Sequence, residues 1–511
     1  MSNYKDTPRQ RQRGAILSYV YSLASIIVSL LYVPILIGGV GQSEYGLYQL
    51  IGSIIAYLSV MGSVLSGGIT RFYCKYFIED NIEMMENVLA TGRSINRFVA
   101  IVLIPISFIA IIAVQCVYAN SLTSTQLEES ALMIIVLAIN VFVTMSNIVN
   151  VAIINAHERF VFLKATQLLS VVLQPFLALL AITYLPYALT ICVVQLLLNV
   201  FCAALQRIFA RNVLKAKVRF HYRDKKLYKD LIVFSSGVLL VLVADQIFWK
   251  TNQLVLGYTH GMEVVAVYAI AMQICASYQP LGTAVSTVFM PKISELYFDK
   301  QDSKAISDLF CSIGRIAGYP LLLVLFGFSI FGEDFILLWA GSGFNQAFVI
   351  ALIVMVPFTI DLLQNLGLYI LQVANKYAFR GKMYLTMALL QLIFVLVIVP
   401  QYGPISAAIV TAVVFIIGNG VIMNWYYYHV LDLDVKKFWL GIVKEAFPLL
   451  IITILFIALI NSFSVSFDSW FSLIVGILVF TGFYVIVAFL FSMNQEEKSL
   501  VKGLFKRSVH K

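Results

Sequence analysis

Apolar stretches about as long as a bilayer is thick recur from one end of this chain to the other. A helix needs about 20 residues to cross ~30 Å of hydrocarbon. Lipid offers no hydrogen bonds to a bare backbone, so each stretch must close its own and become a helix. About fourteen segments qualify: 14–39, 45–70, 95–119, 130–154, 163–183, 186–209, 231–257, 264–290, 309–331, 345–372, 384–400, 404–428, 441–462 and 469–492. Composition agrees, since 61% of the 511 residues are hydrophobic and 12% are charged, about half the charged share of a soluble chain. The chain is expected to be an all-α polytopic membrane protein. The start, "MSNYKDTPRQRQRG", is too long and polar for a signal region, and no cleavage site follows the first apolar run, so that run is expected to be a retained helix. The six cysteines fall singly in or beside apolar segments and are expected to be buried thiols, neither disulfides nor metal ligands.

An even number of spans puts both termini on one side, and basic residues decide which. Loops near 40–44, 120–129, 184–185, 258–263, 332–344, 401–403 and 463–468 contain no lysine or arginine. The opposite set carries Arg9, Arg11 and Arg13, then Arg93 and Arg97, then the stretch from Arg207 to Lys229, Lys376, Arg380 and Lys382, Lys436 and Lys437, and Lys498 onward. Cytoplasmic loops collect such charge, so both termini are expected in the cytoplasm. The net charge of +9 then needs no nucleic-acid partner. "NWYYYHV" at 424–430 reads as an interfacial aromatic belt.

A weak repeat organises the spans. Ser25–Phe77 aligns with Asp245–Tyr297 at a constant offset of 220, with eight identities in 53 positions, among them Gly41/Gly261 and Gly62/Gly282. Beyond it, "TGRSI" around Arg93 meets "IGRIA" around Arg315. The expected organisation is a cytoplasmic N-terminal segment (1–13), a first six-helix lobe (14–209), a basic cytoplasmic linker (210–230) and a second, pseudo-symmetric six-helix lobe (231–428). A cytoplasmic loop (429–440), two extra C-terminal helices (441–492) and a cytoplasmic tail (493–511) follow. Parallel repeats place a substrate site between the lobes. Under the repeat, Arg93 and Arg315 both fall at the cytoplasmic surface and read as anchors.

Polar side chains recur at helical spacing: Ser18, Ser22, Ser25 and Ser29 in the first span, and Ser59, Ser63, Ser66 and Thr70 in the second, closing on Arg71. The fourth span offers Asn140, Thr144 and Asn147, and the tenth Asp361, Gln364 and Asn365. Such residues either hydrogen-bond helices together or line a hydrated cavity. The seventh span adds two charges in "VADQIFWKTNQ": Asp245, ~20 Å from the cytoplasmic start at 1.5 Å per residue, and Lys250 a little further. A charge at the bilayer centre costs about 2.5–3.5 kcal/mol on insertion scales, so it usually faces a bundle interior and serves function. The plain alternative is a buried clamp, Lys250 paired with Asp245 or Asp361. The preferred expectation is a cavity lined by Asp245, Lys250 and Asn252 together with Ser25, Asn140, Asn147, Asp361, Gln364, Asn365 and Arg71.

No Walker A, HExxH, GxSxG or paired His/Cys cluster appears, and the outer loops are too short to build a catalytic pocket. An enzyme is not expected; a duplicated bundle with midplane charges has the layout of a secondary carrier. "SYVYSLASIIVSLLYVPILIGGVGQSEYGLYQLIGS", "SGGITRFYCKYF" and "VADQIFWKTNQLVLGY" resemble the polysaccharide-transporter branch of the MOP flippase superfamily, which includes the O-antigen flippases. The resemblance implies two lobes in a V with the last two helices appended, in a bacterial cytoplasmic membrane. It implies a substrate of oligosaccharide joined by pyrophosphate to a polyisoprenoid, moved from the inner to the outer leaflet for surface polysaccharide synthesis. Membrane lipids are expected partners, with a glycan polymerase or glycosyltransferases as candidate protein partners. No cofactor is expected beyond a coupling Na+ or H+. Lipid II flippases of the superfamily carry arginine in span one, where this chain has serines, so the cationic role falls to Arg71 and Lys250. Two readings stay open beside this one: a multidrug or small-metabolite exporter of the same superfamily, coupled to a cation through Asp245 or Asp361, and a non-transporting scaffold for glycan-assembly enzymes.

Overall fold

The computed structural model describes residues 7–222, 224–299 and 302–499; the side chains at 7–16, 18, 19, 22, 23, 61, 63, 65, 234–238 and 299 lie outside that description. Ser18, Ser22 and Ser63 of the serine stripes, the N-terminal arginines, and the tail from residue 500 fall there.

The described residues form helices and connecting turns, with no strand. The first helices are α1 (Thr7–Val40), α2 (Gln42–Ile78), α3 (Ile82–Val117), α4 (Ser124–Ala156), α5 (Phe160–Ile182), α6 (Ala188–Ile208), α7 (Lys225–His260) and α8 (Met262–Val288). There follow α9 (Met290–Ser294), α10 (Ser303–Ala340), α11 (Gln346–Leu363), α12 (Asn365–Val373), α13 (Tyr377–Phe415), α14 (Met423–Leu431), α15 (Val435–Ser462) and α16 (Trp470–Val487). Among the described residues, ten helical runs are long and apolar enough to cross a membrane, and the protein is a multi-pass membrane protein. The fourteen expected segments differ from these ten at named places. Segments 14–39, 45–70 and 231–257 lie on α1, α2 and α7, outside that ten, while 384–400 and 404–428 share one run, Tyr377–Leu431. That run bends at Gly403, whose φ of 72° breaks the helix between Pro400 and Pro404, where the sequence predicts a turn.

Local chemistry explains the helix starts. Asp224, Asp302 and Asp434 accept from the first-turn amides of α7, α10 and α15, and capping boxes Thr123/Gln126 and Ser469/Ser472 open α4 and α16. The repeat shows in the backbone as well. Gly41 between α1 and α2, and Gly261 between α7 and α8, both sit at φ 85°, a left-handed turn that favours glycine.

The chain forms two compact units, residues 1–266 and 267–511. In the first, α2 packs against α3, α4 and α7, α1 against α5, and α4 against α6. Without a hydrophobic drive in lipid, such packing depends on small residues that let helices approach. Gly46 is the tightest case: a Cβ there would lie 1.9 Å from the Met262 carbonyl oxygen. Gly46→Ala should cost about 1–3 kcal/mol by overpacking and lower the unfolding temperature in detergent. An unchanged temperature would show that the approach of the two backbones is not needed.

In the second unit, α10 packs against α11, α15 and α16, and α11 against α13. Arg315 on α10 is mostly buried and donates to Glu497 Oε1 at 2.7 Å and Oε2 at 3.0 Å, and to the carbonyls of Gly441 at 2.8 Å and Ser492 at 2.9 Å. It is an anchor, but for protein: it ties α10 to α15 and to the segment after α16. Four cysteines are buried as expected; Cys116 is exposed and Cys74 only half-buried. None is in a disulfide.

Candidate functional site

Within the first unit, faces of α2, α4, α6 and α7 enclose a cavity of about 680 Å³. From α2 come Tyr48, Gln49, Ser59 and Ser66, with Gly52 and Gly62 leaving room between them. Asn140, Thr144 and Asn147 come from α4, Gln195 and Asn199 from α6, and Lys250 from α7. Spacings of three, four and seven residues put each set on one helix face, which is why the stripes were visible in sequence.

The polar groups are organised before any ligand arrives. Asn199 Nδ2 donates to Asn140 Oδ1 at 2.6 Å and to Thr144 Oγ1 at 2.7 Å. Asn147 Nδ2 donates to Gln206 Oε1 at 2.6 Å and its Oδ1 accepts from Asn150 at 3.0 Å. Below Lys250 on α7, Ser53 bonds Gln253 and Tyr57 bonds Thr251 at 2.9 Å, pinning α7 to α2.

Lys250 is the cavity's one cation among its lining residues, and no carboxylate lines it. Among the described residues its ammonium makes no ion pair or hydrogen bond; Asp245 is the charge whose field reaches it, without contact. Within the first unit, a clamp between Lys250 and Asp245 is therefore not what the structure shows. A cation in a polar cavity with no contacting counter-charge can receive an anion.

The sequence-derived residues distribute as follows. Lys250, Asn140 and Asn147 meet in the cavity. Asp245, Asn252, Ser25 and Arg71 do not line it: Asn252 and the Ser25 hydroxyl are buried in packing, Asp245 accepts from the neighbouring Gln246 at 3.3 Å, and Arg71 is exposed. Asp361, Gln364 and Asn365 belong to the second unit. There Asp361 pairs with Arg380 at 3.4 Å, both side chains being under a fifth exposed, Gln364 donates to Asn424 at 3.2 Å, and Asn365 is buried. Gln49, Gln195 and Asn199 are cavity residues that the sequence reading missed. The pair Gln195 and Asn199, four apart in span six, carried the same stripe signal.

Residues 40–349 match the family model described as "Polysaccharide biosynthesis protein". No curated protein matches the sequence. Among solved structures the chain is similar to "Lipid II flippase MurJ, inward closed conformation", with a TM-score of 0.70 at 12% identity over 98% of this chain and 99% of that one. It is also similar to an inward-facing "multidrug resistance MATE family transporter of the MOP superfamily", with a TM-score of 0.65 at 14% identity over 83% of this chain and 99% of that one. An outward-facing structure of such a transporter gives 0.54 at 13% identity over 84% and 95%. The fold is that of MOP-superfamily flippases and transporters.

Proposed function

The chain belongs to the polysaccharide biosynthesis protein family, and from that premise we propose that it turns polyisoprenoid-pyrophosphate-linked oligosaccharide from the inner to the outer leaflet of a bacterial cytoplasmic membrane. One observation carries the reading: a cavity of about 680 Å³ in which a single uncontacted lysine stands among carboxamides and hydroxyls. Sugar hydroxyls need neutral donors and acceptors, and a pyrophosphate needs a cation whose bond strengthens as water is excluded. Lys250 would hold the pyrophosphate, and Asn140, Asn199 and Gln195 the proximal sugars. Movement would follow from alternating access, the headgroup favouring one state over another by differential affinity. Both termini would lie in the cytoplasm, as the loop charges require. Glycan polymerases or glycosyltransferases would supply and consume the substrate. A coupling Na+ or H+ would act through Asp245 or Asp361. The chain itself would perform no covalent chemistry.

Deleting the gene and measuring lipid-linked oligosaccharides by mass spectrometry tests this. One species should accumulate on the inner leaflet, and its mass would name the sugars. Unchanged lipid-linked pools together with new drug sensitivity would replace the flippase reading with that of an exporter.

A further inference from the structure

The first unit has a second polar cavity, of about 460 Å³, that the transport reading leaves unused. Three arginines line it: Arg93 and Arg97 on α3, and Arg207 in the last turn of α6. Asn96, Ser146 and Asn150 complete its polar wall, and no carboxylate lines it. Among the described residues none of the three guanidiniums makes a hydrogen bond or ion pair, and the charges that bear on Arg93 are those of Arg207 and Arg97. Like charges gathered from two helices into one pocket repel one another. Arg93 is half-buried and Arg97 and Arg207 are exposed, and an anion seated among the three would relieve that repulsion.

The internal repeat shows what sort of group is wanted. Arg315, the counterpart of Arg93, receives a bidentate carboxylate from Glu497. Glu497 lies beyond the two C-terminal helices, outside the duplication, so the first copy has no equivalent residue. Among the described residues no carboxylate takes that place at Arg93.

An adjoining space of about 480 Å³ says what the anion is attached to. It runs between α3 and α4, shares Arg97 and Phe142 with the arginine pocket, and is otherwise almost wholly apolar. Ile101, Ile104, Phe108 and Ile139 along it are exposed, which on a membrane-spanning helix means facing acyl chains. Arginines placed only to set topology would need neither convergence on one pocket nor a continuous apolar groove.

We infer that this is a binding site for an anionic phospholipid of the surrounding bilayer, the phosphate held by Arg93, Arg97 and Arg207 and an acyl chain lying along the α3–α4 groove. The guanidinium forks suit phosphate oxygens. The arginines occupy the ends of α3 and α6 that the loop charges assign to the cytoplasmic leaflet, where anionic headgroups attract basic residues. Asn147 stands in the walls of both this pocket and the larger cavity, and its amide is engaged by Gln206 and Asn150. A seated lipid would thus brace the helix face that carries Asn140 and Asn147. The inference concerns binding and stands apart from transport, so either can fail without the other.

Native mass spectrometry of the full chain in neutral detergent, titrated with dioleoylphosphatidylglycerol or dioleoylphosphatidylcholine, tests it. One phosphatidylglycerol should be retained at least about tenfold more tightly than phosphatidylcholine. The Arg93→Gln/Arg97→Gln/Arg207→Gln protein should lose that preference and the triple lysine variant should keep part of it. Arg211→Gln, at an exposed arginine outside both spaces, should keep all of it. If the triple glutamine protein does not fold, the lysine and single glutamine variants still report graded loss. Undiminished phosphatidylglycerol retention in any folded variant lacking two of the arginines would overturn the site. Equal competition by glycerol phosphate would show a headgroup pocket without a lipid, and full displacement by an equimolar polyisoprenoid pyrophosphate would assign the site to the transported substrate; either result overturns the assignment made here.

Discussion

Lys250→Gln should lose most flipping while the protein still folds and inserts. The side chain makes no ion pair or hydrogen bond among the described residues, so the substitution removes no such bond and stability should hold or rise. What it removes is the cavity's lining cation. A hydrogen bond to a charged group is worth about 1.5–3 kcal/mol, which translates to roughly ten- to hundredfold in affinity or rate. Reconstituted flipping of a short lipid-linked oligosaccharide, read by protection from an impermeant enzyme, measures this directly. Lys250→Arg should recover part of the loss. In the same vesicles Asp245→Asn should bind substrate normally yet lose its response to a Na+ or H+ gradient. A Lys250→Gln protein with full flipping activity would remove the lysine from the mechanism. A non-transporting scaffold would be indifferent to both substitutions.

Arg315→Gln should be the most destabilising single change in the second unit. The guanidinium is 14% exposed and its partner carboxylate 6%, so the pair sits where water cannot replace a lost partner. Removing one member of a buried pair costs about 3–5 kcal/mol, because the other charge is stranded. Here the stranded charge is the Glu497 carboxylate. Arg315→Gln also leaves the Gly441 and Ser492 carbonyls without their donor, so it should cost more than Glu497→Gln, and unfolding in detergent should begin by releasing α15 and α16 from α10. An unfolding temperature left unchanged by Arg315→Gln would contradict this.

The pair also carries a pH dependence whose sign is determined. Burial pushes Glu497 up, but hydrogen bonds from Arg315, the Asn494 amide and Tyr319 outweigh it and hold the carboxyl below its ordinary value. A carboxyl with a lowered folded pKa stabilises fully above its unfolded pKa, about 4.3. The contribution is lost as pH falls through the folded value. Stability should fall on the acid side below about pH 4, and Glu497→Gln should flatten that decline.

Arg315 and Arg93 show where sequence stops being enough. Their equivalence was legible from "IGRIA" and "TGRSI", yet one is bound by a residue far along the chain and the other by none of the described residues. The same holds for the charges. Lys376, Arg380 and Lys382 read as one inner-loop cluster, but Arg380 turns in to Asp361 and Lys376 donates to the Val430 carbonyl at 2.7 Å. Glycine turns behaved differently: Gly41 and Gly261, matched by the repeat, adopt the same φ of 85° because a turn is decided by the residues within it.

Sequence by itself determined the helical class, the membrane environment, the glycine turns, and the faces on which polar residues gather. Each follows from local physics: backbone groups in lipid must bond within their own segment, and a rise of 1.5 Å with about 3.6 residues per turn puts fixed spacings on fixed faces. The tertiary structure alone decided which faces meet. It brought Asn199 to Asn140, left Lys250 uncontacted, paired Asp361 with Arg380, and gathered three arginines beside an apolar groove. Those outcomes depend on how closely helices distant in sequence can approach, as at Gly46 against Met262, and no single segment contains that information.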